Sequence, residues 1–342
     1  MATEAPHRAF APYEEEVPPQ AAPGSPGKNG RLELAFERGQ DGTALVRDLA
    51  TAPFHLSGTL DTDPISALAT VIVQSPSGGV AQGDRRHIDI AAGPSALARI
   101  GTASSTKVHS MTHNYARTDL SVDLAAGSHL EYLPEPTILH ADSRLYRSTE
   151  IDIDPESTAI LGDVIVPGRL ARDEVYGLDR FVSELEVRQG DRVLAADSLW
   201  LDPDSTALGP IGPGAERPVV GTLYVLAPAV ETAPLGDAIH DAVTAASPDD
   251  TLAGATTMPN DAGVVVRSLG EATPGVRAAL DAAWTTARAE ILDDSIAANT
   301  PPRMMLAVNT GRYLATRMSA LTCSRRVIPS GSSSVTTEFI SR

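Results

Sequence analysis

An acidic residue, an apolar neighbour and a turn recur through the middle of this chain. They appear as Asp89-Ile90-Ala91-Ala92-Gly93, Asp123-Leu124-Ala125-Ala126-Gly127, Asp152-Ile153-Asp154-Pro155-Glu156 and Glu186-Val187-Arg188-Gln189-Gly190, at intervals of 34, 29 and 34 residues. After each turn a second strand-like segment follows, at residues 96–100, 129–133, 159–165 and 192–199. A unit of two short strands cannot bury its own apolar face, so such units must stack on one another. The pattern predicts a mainly β fold of stacked β-hairpin layers, β-helix-like. An ordinary antiparallel sandwich could share the same spacing.

The densest stretch runs from residue 70 to 107. Val71-Ile72-Val73 reads as a buried strand, and His87-Ile88-Asp89-Ile90 alternates as a half-buried one. Between them lies the glycine-rich turn Ser77-Gly78-Gly79-Val80-Ala81-Gln82-Gly83-Asp84. Its glycines permit positive φ, and Asp84 stands where the chain re-enters the sheet. A phosphate-binding loop is not expected, because a strand rather than a helix follows the glycines. An Asx-capped turn would produce the same residues.

Outside this core the texture changes. Residues 1–30 are rich in Pro and Ala and read as a mobile arm, with Glu14-Glu15-Glu16 solvated. Residues 31–300 form the β domain. Beyond a Pro/Gly/Asp loop at 203–218, a helix is expected over residues 235–246. A second is expected from Thr273 as N-cap, with Pro274 in its first turn and the face Val276, Leu280, Ala283, Trp284, Ala287 and Ile291. About two α-helices therefore cover the sheets in the C-terminal third. Residues 301–342 receive no function.

The 342 residues hold 27 Lys+Arg against 44 Asp+Glu, a net charge of −17. Such a chain repels nucleic acid and anionic lipid. Lysine occurs only at positions 28 and 107, and this Lys-poor, Asp-rich composition resembles the surfaces of halophilic archaeal proteins. One cysteine, Cys323, leaves no intrachain disulfide or cysteine zinc site. No apolar run of about 18 residues and no leader pattern is present, so a soluble, cytoplasmic protein is expected.

No strong catalytic motif stands out. His109 and His113 have the i,i+4 spacing of a helical metal pair, but their surroundings do not read as helix. Asp84, Glu131, Asp163, Glu174 and Asp197 could supply an acid/base pair, or could cap turns and pair with arginine. For Lys107 two placements are open: a buried partner of Asp84 or another carboxylate, or a solvated side chain.

Six segments, in order, resemble the urease accessory protein UreD (UreH) family. They are Gly78-Gly79-Val80-Ala81-Gln82-Gly83-Asp84, residues 102–108 and residues 130–138, then Gly168-Arg169 with Glu174, residues 221–225 and residues 263–267. The resemblance spans about residues 30–292. It implies a non-catalytic metallochaperone scaffold that binds the urease structural subunits and, through UreF, the nickel-carrying GTPase UreG. It further implies no permanently bound cofactor, with nickel in transit through an internal channel; no tight metal site is expected, since no ligand cluster stands out in the sequence. On that resemblance Asp84, Lys107, Asp163, Arg169, Glu174 and Asp197 line or shape the passage. Weak oxygen ligands would hold a divalent ion without trapping it. Asp173 stands where the family usually has glycine, and His109 where tyrosine is common. The alternative from another class is a β-solenoid hydrolase with a carboxylate pair about 5–9 Å apart in an open groove.

Overall fold

A computed structural model describes residues 7–14, 27–60, 62–202 and 216–292. The 301–342 extension, Cys323 and most of the 203–218 loop lie outside these residues. The chain runs through strands β1 (Asn29–Arg38), β2 (Thr43–Ala50), β3 (His55–Leu60), β4 (Leu68–Gln74), β5 (Arg85–Ala92), β6 (Leu97–Thr102), β7 (Thr106–Val108), β8 (Ala116–Leu124) and β9 (His129–Leu133). It continues with β10 (Thr137–Leu139), β11 (Arg144–Ile153), β12 (Thr158–Val166), β13 (Arg180–Gln189), β14 (Arg192–Leu201), β15 (Val219–Leu226), β16 (Thr251–Thr257) and β17 (Gly263–Gly270).

Two sheets face each other. One has the order β14-β13-β11-β8-β5-β1-β2; the other runs β16-β17-β15-β12-β9-β6-β4-β3. From β4 to β13 the chain steps back and forth between them, and each strand pairs in parallel with the corresponding strand of the next coil. The expected stacked, β-helix-like layers are present. In the first three layers (β5/β6, β8/β9 and β11/β12), however, the two strands lie in opposite sheets, as in a solenoid coil, whereas the fourth, β13/β14, pairs as an antiparallel hairpin within one sheet. The reason is that both inner faces are apolar: Ile88, Ile90, Val122 and Ile151 of one sheet pack on Ala98, Ile100, Leu130 and Ala159 of the other. Pairing the two strands edge to edge would leave those faces uncovered.

Helices α2 (Thr232–Ala246) and α3 (Thr273–Ile291) lie on the second sheet, both in the C-terminal third as expected. Leu235, Ile239 and Val243 of α2 and Val276, Leu280, Ala283 and Trp284 of α3 pack with Leu223, Val225, Val264 and Val266. Thr273 is the first helical residue rather than the cap; Ala272 precedes it in extended conformation without a side-chain cap bond. Residues 7–14, expected to be loose, are docked. They include a short helical turn, α1 (Ala11–Glu14), and Phe10 is fully buried against Tyr115, Tyr146 and Val182. Arg180 donates to the Ala9 carbonyl at 2.6 Å. The aromatic rings of this short stretch supply apolar area that its Pro/Ala surroundings lack.

Under α3 lies a buried ion cluster. Arg288, 2% exposed, donates from both terminal nitrogens to Asp63, at 3.2 and 3.1 Å. Its Nε stands 2.9 Å from Glu131, which is fully buried and also contacts His129 at 3.2 Å. Arg99 adds a third contact to Asp63 at 3.3 Å, and the Arg99 and Arg288 guanidiniums lie over the Trp284 ring at 4.9 and 5.0 Å. Burial alone would raise the Asp63 and Glu131 proton affinities. Arg288 at Asp63, and His129 with both arginines at Glu131, overcome it and hold both carboxyls below their ordinary values. Asp281 lacks such compensation: burial lifts its pKa from 3.8 to about 6, only partly opposed by Arg277 and Arg99.

Removing Arg288 leaves two buried anions to Arg99 and His129 alone, so Arg288→Leu should cost about 3 kcal/mol in denaturant unfolding at fixed salt. An unchanged midpoint would contradict the cluster's role. Asp281 binds its proton more tightly folded than unfolded, so its own contribution to stability should be lost as pH rises from about 4 to 6. The loss should be about 1–2 kcal/mol, given partial solvent access. Asp281→Asn should flatten that limb of the pH–stability curve, as read by thermal unfolding.

Candidate functional site: a polar chamber between the sheets

Parallel, in-register coils turn the two-residue period of each strand into rungs that cross the sheet. In the first sheet the rung Ile90, Val122, Ile151, Val187 is apolar, continuing the core. Two rungs away, at the N-terminal ends of the same strands, the inward phase carries Arg86, Thr118, Arg147 and Ser183 in register. Across the interior the second sheet presents Tyr132, Leu161 and Tyr224 in one rung and Asp163, Thr222 and Arg267 in the next. Polar side chains meet polar side chains at this end, and they enclose a cavity of about 120 Å³. Glu135, Glu184 and several Thr and Ser residues add to its lining, beside apolar side chains that include Ile88, Leu120, Leu145, Leu185 and Leu199.

Most charges here are matched. Arg147 forks onto Asp163, one bond measuring 3.1 Å, and also donates to Ser183 Oγ at 3.2 Å. Arg267 donates to Thr222 Oγ1 at 2.6 Å and forms an ion pair with Asp197, which also accepts from the Tyr224 hydroxyl. Glu135 is paired with Arg277 of α3, and Glu184 accepts from the Tyr146 hydroxyl. Burial raises the Tyr132 phenol above its ordinary value, and raises Tyr224 likewise. Asp197 also borders a second hollow of about 600 Å³, with Glu150, Glu184 and Glu186 around it.

Of the six residues expected along a passage, Asp163 lines the chamber and Asp197 borders it through Arg267 and Tyr224. The other four are elsewhere. Asp84, 1% exposed, is a structural knot: it accepts from the backbone N–H groups of Gly27, Lys28 and Ala81 at 2.9–3.0 Å and pairs with Lys28 Nζ at 3.1 Å. Lys107 is exposed, because the inward phase of β7 belongs to Val108. Lys28, just before β1, is the half-buried lysine that Asp84 holds. Arg169 and Glu174 form an ion pair in the loop after β12, with Glu174 also accepting from Ala141 N–H at 3.0 Å. Asp173, in that loop, adopts φ 54°, the left-handed conformation that glycine favours and aspartate tolerates.

The Gly78–Asp84 turn behaves as expected at Gly79. With φ at 140°, it packs where a Cβ would stand 2.5 Å from the Lys107 carbonyl. That close approach lets Val80 N–H bond Lys107 O at 2.8 Å and tie two coils together. His109 and His113 are not on a helix. His109 instead stacks edge-on to His140 at 5.2 Å, with its Nε2 3.1 Å from Gly78 O. Among the described residues no group of three or more His, Cys, Asp or Glu could hold a metal ion, and no helix is long and apolar enough to cross a membrane.

The family model for the UreD urease accessory protein matches residues 28–304. The chain belongs to the UreD family. It is 52% identical to a urease accessory protein UreD of Haloarcula marismortui, over 86% of this chain and 97% of that protein. A UreD of Natronomonas pharaonis is 42% identical over 85% and 97%, and one of Haloquadratum walsbyi 37% over 83% and 93%. In this UreD-family chain the matched region begins at Lys28, the residue that neutralises Asp84.

Sequence reasoning missed Arg86 and Arg147 as chamber residues. The signal was present: each stands in phase with its strand's inward apolar positions, Arg86 with Ile88 and Ile90, Arg147 with Leu145 and Ile151. Asp84→Ala, by orphaning Lys28 and three N–H groups, should cost about 2–4 kcal/mol in unfolding measurements. Lys107→Met should stay within about 0.5 kcal/mol of wild type. The reverse order would return Lys107 to the knot.

Proposed function

We propose that this chain acts as a scaffold in urease maturation, binding the urease structural subunits and the accessory proteins UreF and UreG, and helping deliver nickel to the urease active site. The observation that carries this reading is the family match across residues 28–304, in which the relatives are named urease accessory proteins. The nickel ion is cargo. The interior chamber supports a path for it, with Asp163 beside Glu135 and Glu184 in the lining and Asp197 at the boundary with the second hollow.

Asp163 and Asp197 are suited to transit rather than storage. Each is held by an arginine, so an arriving divalent ion exchanges with a guanidinium instead of meeting a ready-made cage. Two oxygen ligands and water bind nickel weakly enough to release it. The hydrolase alternative needs a free carboxylate pair. Asp84, Glu131, Asp163, Glu174 and Asp197 are each committed to a cationic or imidazole partner instead.

The test is nickel content of urease matured in cells carrying chain variants. Asp163→Ala and Asp197→Ala should co-purify with urease subunits at the wild-type level while urease nickel falls severalfold. Full nickel loading in both variants would remove the chamber from the route. Failure of wild type to co-purify with urease would remove the scaffold reading.

A further inference from the structure

Among the described residues, Arg86 is the chamber's one arginine without a paired carboxylate. Arg86 Nε is buried and has no hydrogen-bond partner, and among the described residues its guanidinium makes no ion pair or side-chain hydrogen bond. The Phe54 ring lies 4.8 Å from it, a contact that leaves the donor edge unused. A buried guanidinium stays protonated, so this edge asks for an anion.

The protein's own carboxylates do not answer it. Asp163 is forked by Arg147, Glu135 is taken by Arg277, and Glu184 accepts from Tyr146 and lies 3.2 Å from His7 Nε2. Asp84, two residues before Arg86, is saturated by three backbone N–H groups and Lys28. Swinging any of them to Arg86 would orphan another cation or donor. Arg147 stands two strands along the same rung, with Thr118 between them, and is itself held by Asp163. Burial and Arg147 both lower the proton affinity of Arg86, while Tyr132 and the nearby Asp84, not bonded to it, oppose them, and Tyr132 lines the same cavity.

We propose that the chamber is a binding site for a small oxyanion, held on the free edge of Arg86 with the hydroxyls of Tyr132 and Thr118 beside it. The fork of a guanidinium matches two oxygens of one anion, a geometry that a monatomic halide cannot use. The cavity, about 120 Å³, exceeds the space one water needs and admits an ion of bicarbonate or phosphate size. Threonine and serine hydroxyls around the lining can donate to the remaining oxygens. This assignment goes beyond the nickel reading and does not depend on it: the anion site is on the Arg86 rung, the cation path on Asp163.

The test uses the full chain without nickel. Arginine Nε–H signals are followed by proton–nitrogen NMR while potassium chloride is replaced by potassium bicarbonate, or by potassium phosphate, at constant ionic strength. The signal that Arg86→Met removes should move saturably with at least one of the two, in the millimolar range, and the responding salt names the oxyanion. Tyr132→Phe, which deletes only a hydroxyl, should raise the half-saturation concentration up to about tenfold. It also serves as the test variant if Arg86→Met does not fold, with the Arg86 signal then assigned through its backbone. No saturable movement with either salt, or unchanged half-saturation in Tyr132→Phe, overturns the assignment.

Discussion

Register between parallel coils is the constraint on which this molecule depends. Because each strand pairs in parallel with its counterpart one coil away, residues of equal phase line up across the sheet as rungs. A rung of Ile90, Val122, Ile151 and Val187 seals the interior with aliphatic side chains. A rung of Arg86, Thr118, Arg147 and Ser183 opens it. The chamber follows from where along the strands the inward residues change from apolar to polar, and the facing sheet makes the same change at Asp163 and Thr222.

The charge distribution runs opposite to the overall composition. The chain is strongly acidic, yet its interior collects arginines: Arg99 and Arg288 beneath α3, Arg86 and Arg147 in the chamber. Each buried carboxylate beneath α3 is surrounded by cations, which keeps it ionised out of water. The arrangement makes the second sheet and α3 one unit, and that sheet forms one wall of the chamber. Wall rigidity and chamber geometry are thus linked through Arg99 on β6 and Glu131 on β9, the outward neighbours of Ala98, Ile100 and Tyr132.

Much of the architecture was legible in the chain. The strand runs at residues 71–73, 87–90, 96–100 and 129–133, both C-terminal helices and the glycine turn at 78–83 are all present. Periodicity reports which face of an element is buried, and burial drives the fold. It does not report what lies opposite. Lys107 and Lys28 illustrate the limit: both are lone lysines near glycines, and only the coil geometry brings Lys28 to Asp84 while β7 turns Lys107 outward. Residues 7–14 illustrate another, since a segment that looks too poor in apolar area to fold becomes ordered when Tyr146 and Val182 supply the other half of its contact.

By itself, then, the sequence determined the mainly β class, the stacked repeat, the covering helices and the family, because these follow from local period and short motifs. Only the tertiary structure decided that the strands of the first three layers sit in opposite sheets, that Arg86 and Arg147 share a rung, and that Asp84 ties Lys28 to the turn before β5. Those outcomes depend on pairing between residues some 30 positions apart along the chain. A shift of one residue in that pairing would turn every inward side chain out to solvent.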